Sequence, residues 1–108
     1  MSDRYDSRAL LADNIVPLNA TGNVVTFNRD GLILYAKSGA TTTAVSCPTW
    51  ANLPIGLTFI ADNSNASGSM TLTPTSGTSH VITSGKVYRC MICAAGTVKA
   101  TELAAGPT

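Results

Sequence analysis

From Ile15 onward the chain is cut into short apolar runs, each followed within a few positions by glycine, proline, asparagine or aspartate. Runs of that length suit strands and are too short for helices that hold themselves together, so the spacing predicts a sandwich or barrel. Strands are expected at 15–18, 23–28, 32–37, 42–47, 57–62, 69–73, 80–83, 86–94 and 97–103. Arg29-Asp30-Gly31 lies between two of these runs and reads as a tight hairpin, because Asp-Gly supplies the positive-φ positions such a turn needs. Gly68, Gly77, Gly85 and Gly96 punctuate the later runs, while Pro48, Pro54 and Pro74 fall at strand ends, where a missing N–H does least harm.

Residue usage agrees with an all-β fold. The chain has one glutamate, Glu102, no glutamine and three lysines, whereas solvent-facing helices draw heavily on those types. At 108 residues one domain is expected, a small antiparallel β-sandwich or barrel-like body over 15–108 preceded by an arm over 1–14. Charged residues make up only 12% and the net charge is +1, so no basic face is available for nucleic acid. No run approaches the ~20 apolar residues of a membrane span, and residues 1–14 carry no apolar stretch of signal-peptide length, so neither a membrane partner nor a Sec address is expected.

The arm concentrates charge in Asp3, Arg4, Asp6, Arg8 and Asp13. It reads either as a frayed terminus or as a docking arm ordered by a neighbour, with Arg4, Tyr5, Arg8, Leu10, Leu11 and Ile15 as its contacts. Strand parity then points to a second surface. In run 32–37, Leu32, Leu34 and Ala36 share one face and Ile33 and Tyr35 the other; in run 57–62, Leu57, Phe59 and Ala61 oppose Thr58 and Ile60. Both faces are apolar, which fits a sandwich interior or a subunit interface formed by Leu32, Ile33, Leu34, Tyr35, Leu57, Phe59 and Ile60. The competing reading is a closed barrel with scattered apolar residues outside.

Catalytic patterns are missing. His80 is the single histidine, paired carboxylates do not occur in the body, and no phosphate-cradling, zinc-hydrolase or nucleophile-elbow motif is present, so neither an enzyme nor a cofactor is expected. Cys47, Cys90 and Cys93 with His80 would make up a zinc set, but residues 88–93 read as a strand, not as a metal knuckle. An odd separation on a strand sends Cys90 and Cys93 to opposite faces. The three remain open as buried thiols or as partners in a disulfide, including one between subunits. Trp50 reads as a plug at the end of the core or as a platform for a sugar.

Residues 43–103 form a patterned unit: an apolar-Cys-Pro strand end, Leu57-Thr58-Phe59-Ile60-Ala61-Asp62-Asn63, a turn through Gly68, Met70-Thr71-Leu72-Thr73-Pro74, then turns at Gly77, Gly85 and Gly96. This resembles the small β modules of tailed-bacteriophage virion proteins, departing from them in its cysteine-rich penultimate strand. Together with the chain length and the charged arm, the whole is similar to small head-decoration, or cement, proteins. The resemblance implies a homotrimer bound to the major capsid protein on the capsid surface, made in the bacterial host cytoplasm, that stabilises the expanded head without catalysis. A short tail or neck fibre, or a carbohydrate-binding module for the host surface, are the alternative readings.

Overall fold

The computed structural model describes residues 14–103. The arm contacts expected at Arg4, Tyr5, Arg8, Leu10 and Leu11 lie outside the described residues, whereas Ile15 opens the first strand.

Nine strands and one short 3-10 turn follow in order: β1 Ile15–Leu18, β2 Asn23–Val24, β3 Leu32–Ala36, β4 Thr43–Cys47, η1 Trp50–Asn52, β5 Thr58–Asp62, β6 Met70–Pro74, β7 His80–Ile82, β8 Val87–Ala94 and β9 Thr97–Glu102. All nine expected runs are strands. The second is much shorter than its apolar pattern: it ends at Val24, although the Val25 amide still donates to the Ser46 carbonyl at 3.0 Å and the Val25 and Phe27 side chains stay in the core.

The strands form two sheets, one ordered β1-β3-β5-β8-β9 and the other β2-β4-β6-β7. From β1 to β6 the chain alternates between them, so each of β1 to β4 pairs with the strand two places on. A strand that returns to its sheet after visiting the other runs in its original direction, and β1-β3, β3-β5, β2-β4 and β4-β6 are therefore parallel. Parallel pairing needs a long crossover, and here the opposite sheet supplies it in place of a helix. The result is three stacked coils. Antiparallel pairing is confined to β5-β8, β8-β9 and β6-β7, which close the stack at its third coil.

The fold is all-β, as the composition predicts, but its sheets are mixed and not antiparallel throughout. The hairpin expected at Arg29-Asp30-Gly31 is likewise corrected. Gly31 does take a positive φ of 79°, yet the strands it joins lie in different sheets. The turn is an arc between layers. Asp30 Oδ1 accepts from the Thr58 amide at 2.6 Å and from its hydroxyl at 2.8 Å, tying the first arc to the start of β5.

Both sheets contribute to one core. Leu18, Leu34, Phe59, Cys90 and Ile92 enter from the first sheet and Val45, Met70, Leu72 and Ile82 from the second, all essentially without solvent contact. Along one side three aromatic residues meet, Phe27 from the arc after β2, Trp50 from η1 and Phe59 from β5. Phe27 and Phe59 lie 4.6 Å apart between ring centres, and Trp50 sits 6.3 Å from each. Phe27 holds a positive φ of 54°, a strained value for a bulky residue that the surrounding rings keep in place.

On the opposite side the turns stack directly on one another. The Ala40 carbonyl accepts from the amides of Ser67 and Gly68 at 2.9 and 3.0 Å, and the Asn65 carbonyl accepts from the Gly39 amide at 2.9 Å. Gly68 passes so close to the Thr41 carbonyl that a Cβ would overlap it. Beneath these turns, fully buried Asn63 donates through Nδ2 to the carbonyls of Gly68, Ile82 and Thr83 at 2.9 to 3.2 Å.

Candidate interaction surface

Alternation of side chains along each strand gives both sheets an outer face, and the two faces differ in chemistry. On the four-stranded sheet the outer positions are Val24, Ala44, Ser46, Thr71, Thr73 and Val81, small side chains of which three carry hydroxyls and two, Val24 and Val81, are strongly exposed valines. On the five-stranded sheet the register aligns Ile15, Ile33 and Ile60 in one row across three parallel strands, continued by Arg89 and Thr101. The adjacent row is Pro17, Tyr35, Asp62 and Val87, and Met91 stands opposite Thr58 and Lys99. Ile15 is 45% exposed, and Ile33, Tyr35, Ile60, Val87 and Met91 are half-buried. The outer face of the larger sheet is therefore an aliphatic ladder with a charged margin.

Hydrogen bonds stiffen that margin. Tyr35 Oη accepts from Asn65 Nδ2 at 2.8 Å, and Asp62 Oδ1 accepts from the Ser64 hydroxyl at 2.6 Å and its amide at 3.1 Å. On the other, core-facing side of the same sheet, where Tyr88 pairs with buried Ala61 and with Glu102, Glu102 takes Lys86 Nζ at 3.3 Å and the Tyr88 hydroxyl at 3.3 Å. The Lys86–Glu102 pair is half in solvent on both sides, so water screens it heavily.

The seven residues singled out by strand parity divide between the two layers. Leu32, Leu34, Leu57 and Phe59 point into the core, with exposures from 0 to 8%, while Ile33, Tyr35 and Ile60 lie on the outer face. Val87 and Met91, which alternation alone places together on one face of β8, join them there with Pro17; only the register shows which strands meet.

Cys47 and Cys90 are buried and Cys93 is exposed, its thiol 3.7 Å from the Thr97 carbonyl. Burial pushes the Cys47 and Cys90 thiols up to about 12, and proximity to Cys90 adds to the effect at Cys47. Of the three, Cys93 alone is exposed. Among the described residues no group of three or more histidine, cysteine, aspartate or glutamate side chains is placed to hold a metal ion. Trp50 is buried and donates from Nε1 to the Thr78 carbonyl at 2.8 Å, so it offers no platform for a sugar. No helix among the described residues is long and apolar enough to cross a membrane.

No protein family matches this chain, and neither curated protein sequences nor solved structures show a significant similarity to it.

Proposed function

We propose that this chain is a capsid-decoration protein of a tailed bacteriophage, which binds the major capsid protein on the expanded head and reinforces it as a homotrimer. The observation that carries this reading is the outer face of the five-stranded sheet, where Ile15, Ile33 and Ile60 align beside Tyr35, Val87 and Met91. An apolar row on the outside of a small body supports association, and its larger side chains set this face apart from the small residues on the outer face of the other sheet. Virion proteins of this kind act by buried area and multiplicity. Three copies holding one weak contact each gain avidity, and no catalytic group is required. The chain is made in the host cytoplasm and ends on the capsid surface, with residues 1–14 as a docking arm.

Binding to purified expanded heads, with a panel of oligosaccharides as the counter-test, separates this reading from the carbohydrate module. Sedimentation of the chain with heads and indifference to sugars support decoration; binding to sugars, or no binding to heads, overturns it.

A further inference from the structure

Among the described residues β1 and β9 end the larger sheet, and β2 and β7 the smaller. Three of these edges are poor templates for a further strand. Pro17 lacks an amide in β1, β2 is only two residues long, and β7 only three. β9 differs: it runs six residues, Thr97–Glu102, without proline, and apart from half-buried Val98 its residues are exposed.

The ladder shows which of its backbone groups are free. The Leu103 amide donates to the Val87 carbonyl at 2.8 Å, and the same register sets Thr101 opposite Arg89 and Lys99 opposite Met91. Backbone groups alternate in direction along a strand, so Lys99, Thr101 and Leu103 turn theirs toward β8 while Val98, Ala100 and Glu102 turn theirs away. The far side of β8 agrees: the Ile92 amide donates to the Leu57 carbonyl at 2.9 Å, which leaves Arg89 and Met91 to face β9. No strand among the described residues meets the outward row of β9. Such a row of N–H and C=O groups is a template for another strand.

We infer that this edge pairs with β9 of a second copy, antiparallel about a two-fold axis through Ala100. A two-fold axis normal to the sheet keeps each face on its own side, so it must pass through a residue. With Ala100 on the axis the two strands overlap over all of 97–103, and Val98 stands opposite Glu102 of the second copy, Lys99 opposite Thr101 and Ala100 opposite itself. Every outward N–H and C=O of the strand then finds a partner, no like charges stand directly opposite, and the smallest side chain of the strand occupies the axis. Moving the axis to Lys99 sets two ammonium groups against each other, and moving it to Thr101 carries Val98 past the end of the opposing strand. On the outer face β9 contributes Lys99 and Thr101, whereas the isoleucine ladder lies on β1, β3 and β5. The two-fold contact is therefore separate from the three-fold one proposed above and does not rest on it.

Amide hydrogen exchange and sedimentation equilibrium on the full-length chain, each across a dilution series, test this. In concentrated samples the amides of Val98, Ala100 and Glu102 should exchange as slowly as those of Lys99 and Thr101; on dilution the first three should become fast and the other two stay slow. Ala100→Pro deletes an outward N–H and leaves the ladder to β8 intact, so its thermal midpoint should stay near the parent's while its mass falls by half. Ile33→Ser with Ile60→Ser should keep the concentration-dependent protection at β9, which separates this contact from the three-fold one. Outward amides that exchange fast at every concentration, or an Ala100→Pro chain that is folded and associates like the parent, overturn the inference and leave Lys99 as a guard on a free edge. If Ala100→Pro does not fold, the amide pattern of the parent decides by itself.

Discussion

At Cys47 and Cys90, removal of the sulfur from water opposes the thiolate, and the chemical consequence is inertness. Ellman's reagent is expected to titrate one thiol rapidly in the native chain, Cys93, and all three after denaturation; two or more fast thiols would contradict the burial. The same shifts set an alkaline limit. The folded values lie above the 9.0 of an ordinary cysteine, so the stability these thiols contribute is complete below that pH and is withdrawn between 9.0 and about 12. Asp30 works in the opposite direction. The Thr58 amide and then the Thr58 hydroxyl hold its carboxyl below the ordinary 3.8, so its contribution is present above that pH and is lost as pH falls below it. Replacing Asp30→Asn should flatten the acid side of the stability profile, measured by thermal unfolding from neutral pH to about pH 2, and leave the alkaline side unchanged. Neither the Asp30–Thr58 bond nor the Cys47–Cys90 proximity was visible in the sequence, because each joins residues far apart in the chain. The division between Cys90 and Cys93, by contrast, follows from strand alternation alone.

The elements were legible one by one, and their partners were not. Period-two alternation in residues 32–36 and 58–62 marks strands, but it is the same whether the next strand lies beside the first or in the opposite layer. The offset from Ile15 to Ile33 is much shorter than that from Ile33 to Ile60, so no fixed repeat length betrays the coils. Beyond the β3-β5 and β4-β6 ladders, contact between turns joins the second and third coils. Gly68→Ala drives a methyl group into the Thr41 carbonyl and should cost about 3 kcal/mol or more, since backbone cannot yield as a side chain does. Asn63→Ala removes the donor from three carbonyls and should cost about 2 kcal/mol, read as a fall in the denaturant midpoint at unchanged slope. A loss below about 0.5 kcal/mol at both sites would show that the stacked turns carry no stability.

For the whole molecule, the decisive asymmetry is in size: the outer face of one sheet carries large aliphatic side chains, and that of the other carries small ones, with Ser46, Thr71 and Thr73 beside Val24, Ala44 and Val81. If the aliphatic face assembles the trimer, Ile33→Ser with Ile60→Ser should weaken association at least tenfold, about 1.4 kcal/mol, in light scattering across a dilution series. The thermal midpoint of the dissociated chain should move by only a few degrees, because both side chains are half-exposed there. Equal association by the variant and the parent would move the interface elsewhere. By itself, the sequence determined the strand class, the strand positions and the two-faced apolar pattern, since all three are local consequences of residue size, branching and alternation. Only the tertiary structure decided that the first three strand pairs wind as parallel coils, that Leu34 and Phe59 face inward while Ile33 and Ile60 face outward, and that Asp30-Gly31 turns between layers. Those outcomes depend on which strands meet, and pairing is chosen by the burial of the whole chain around one core and not by any segment's own preference.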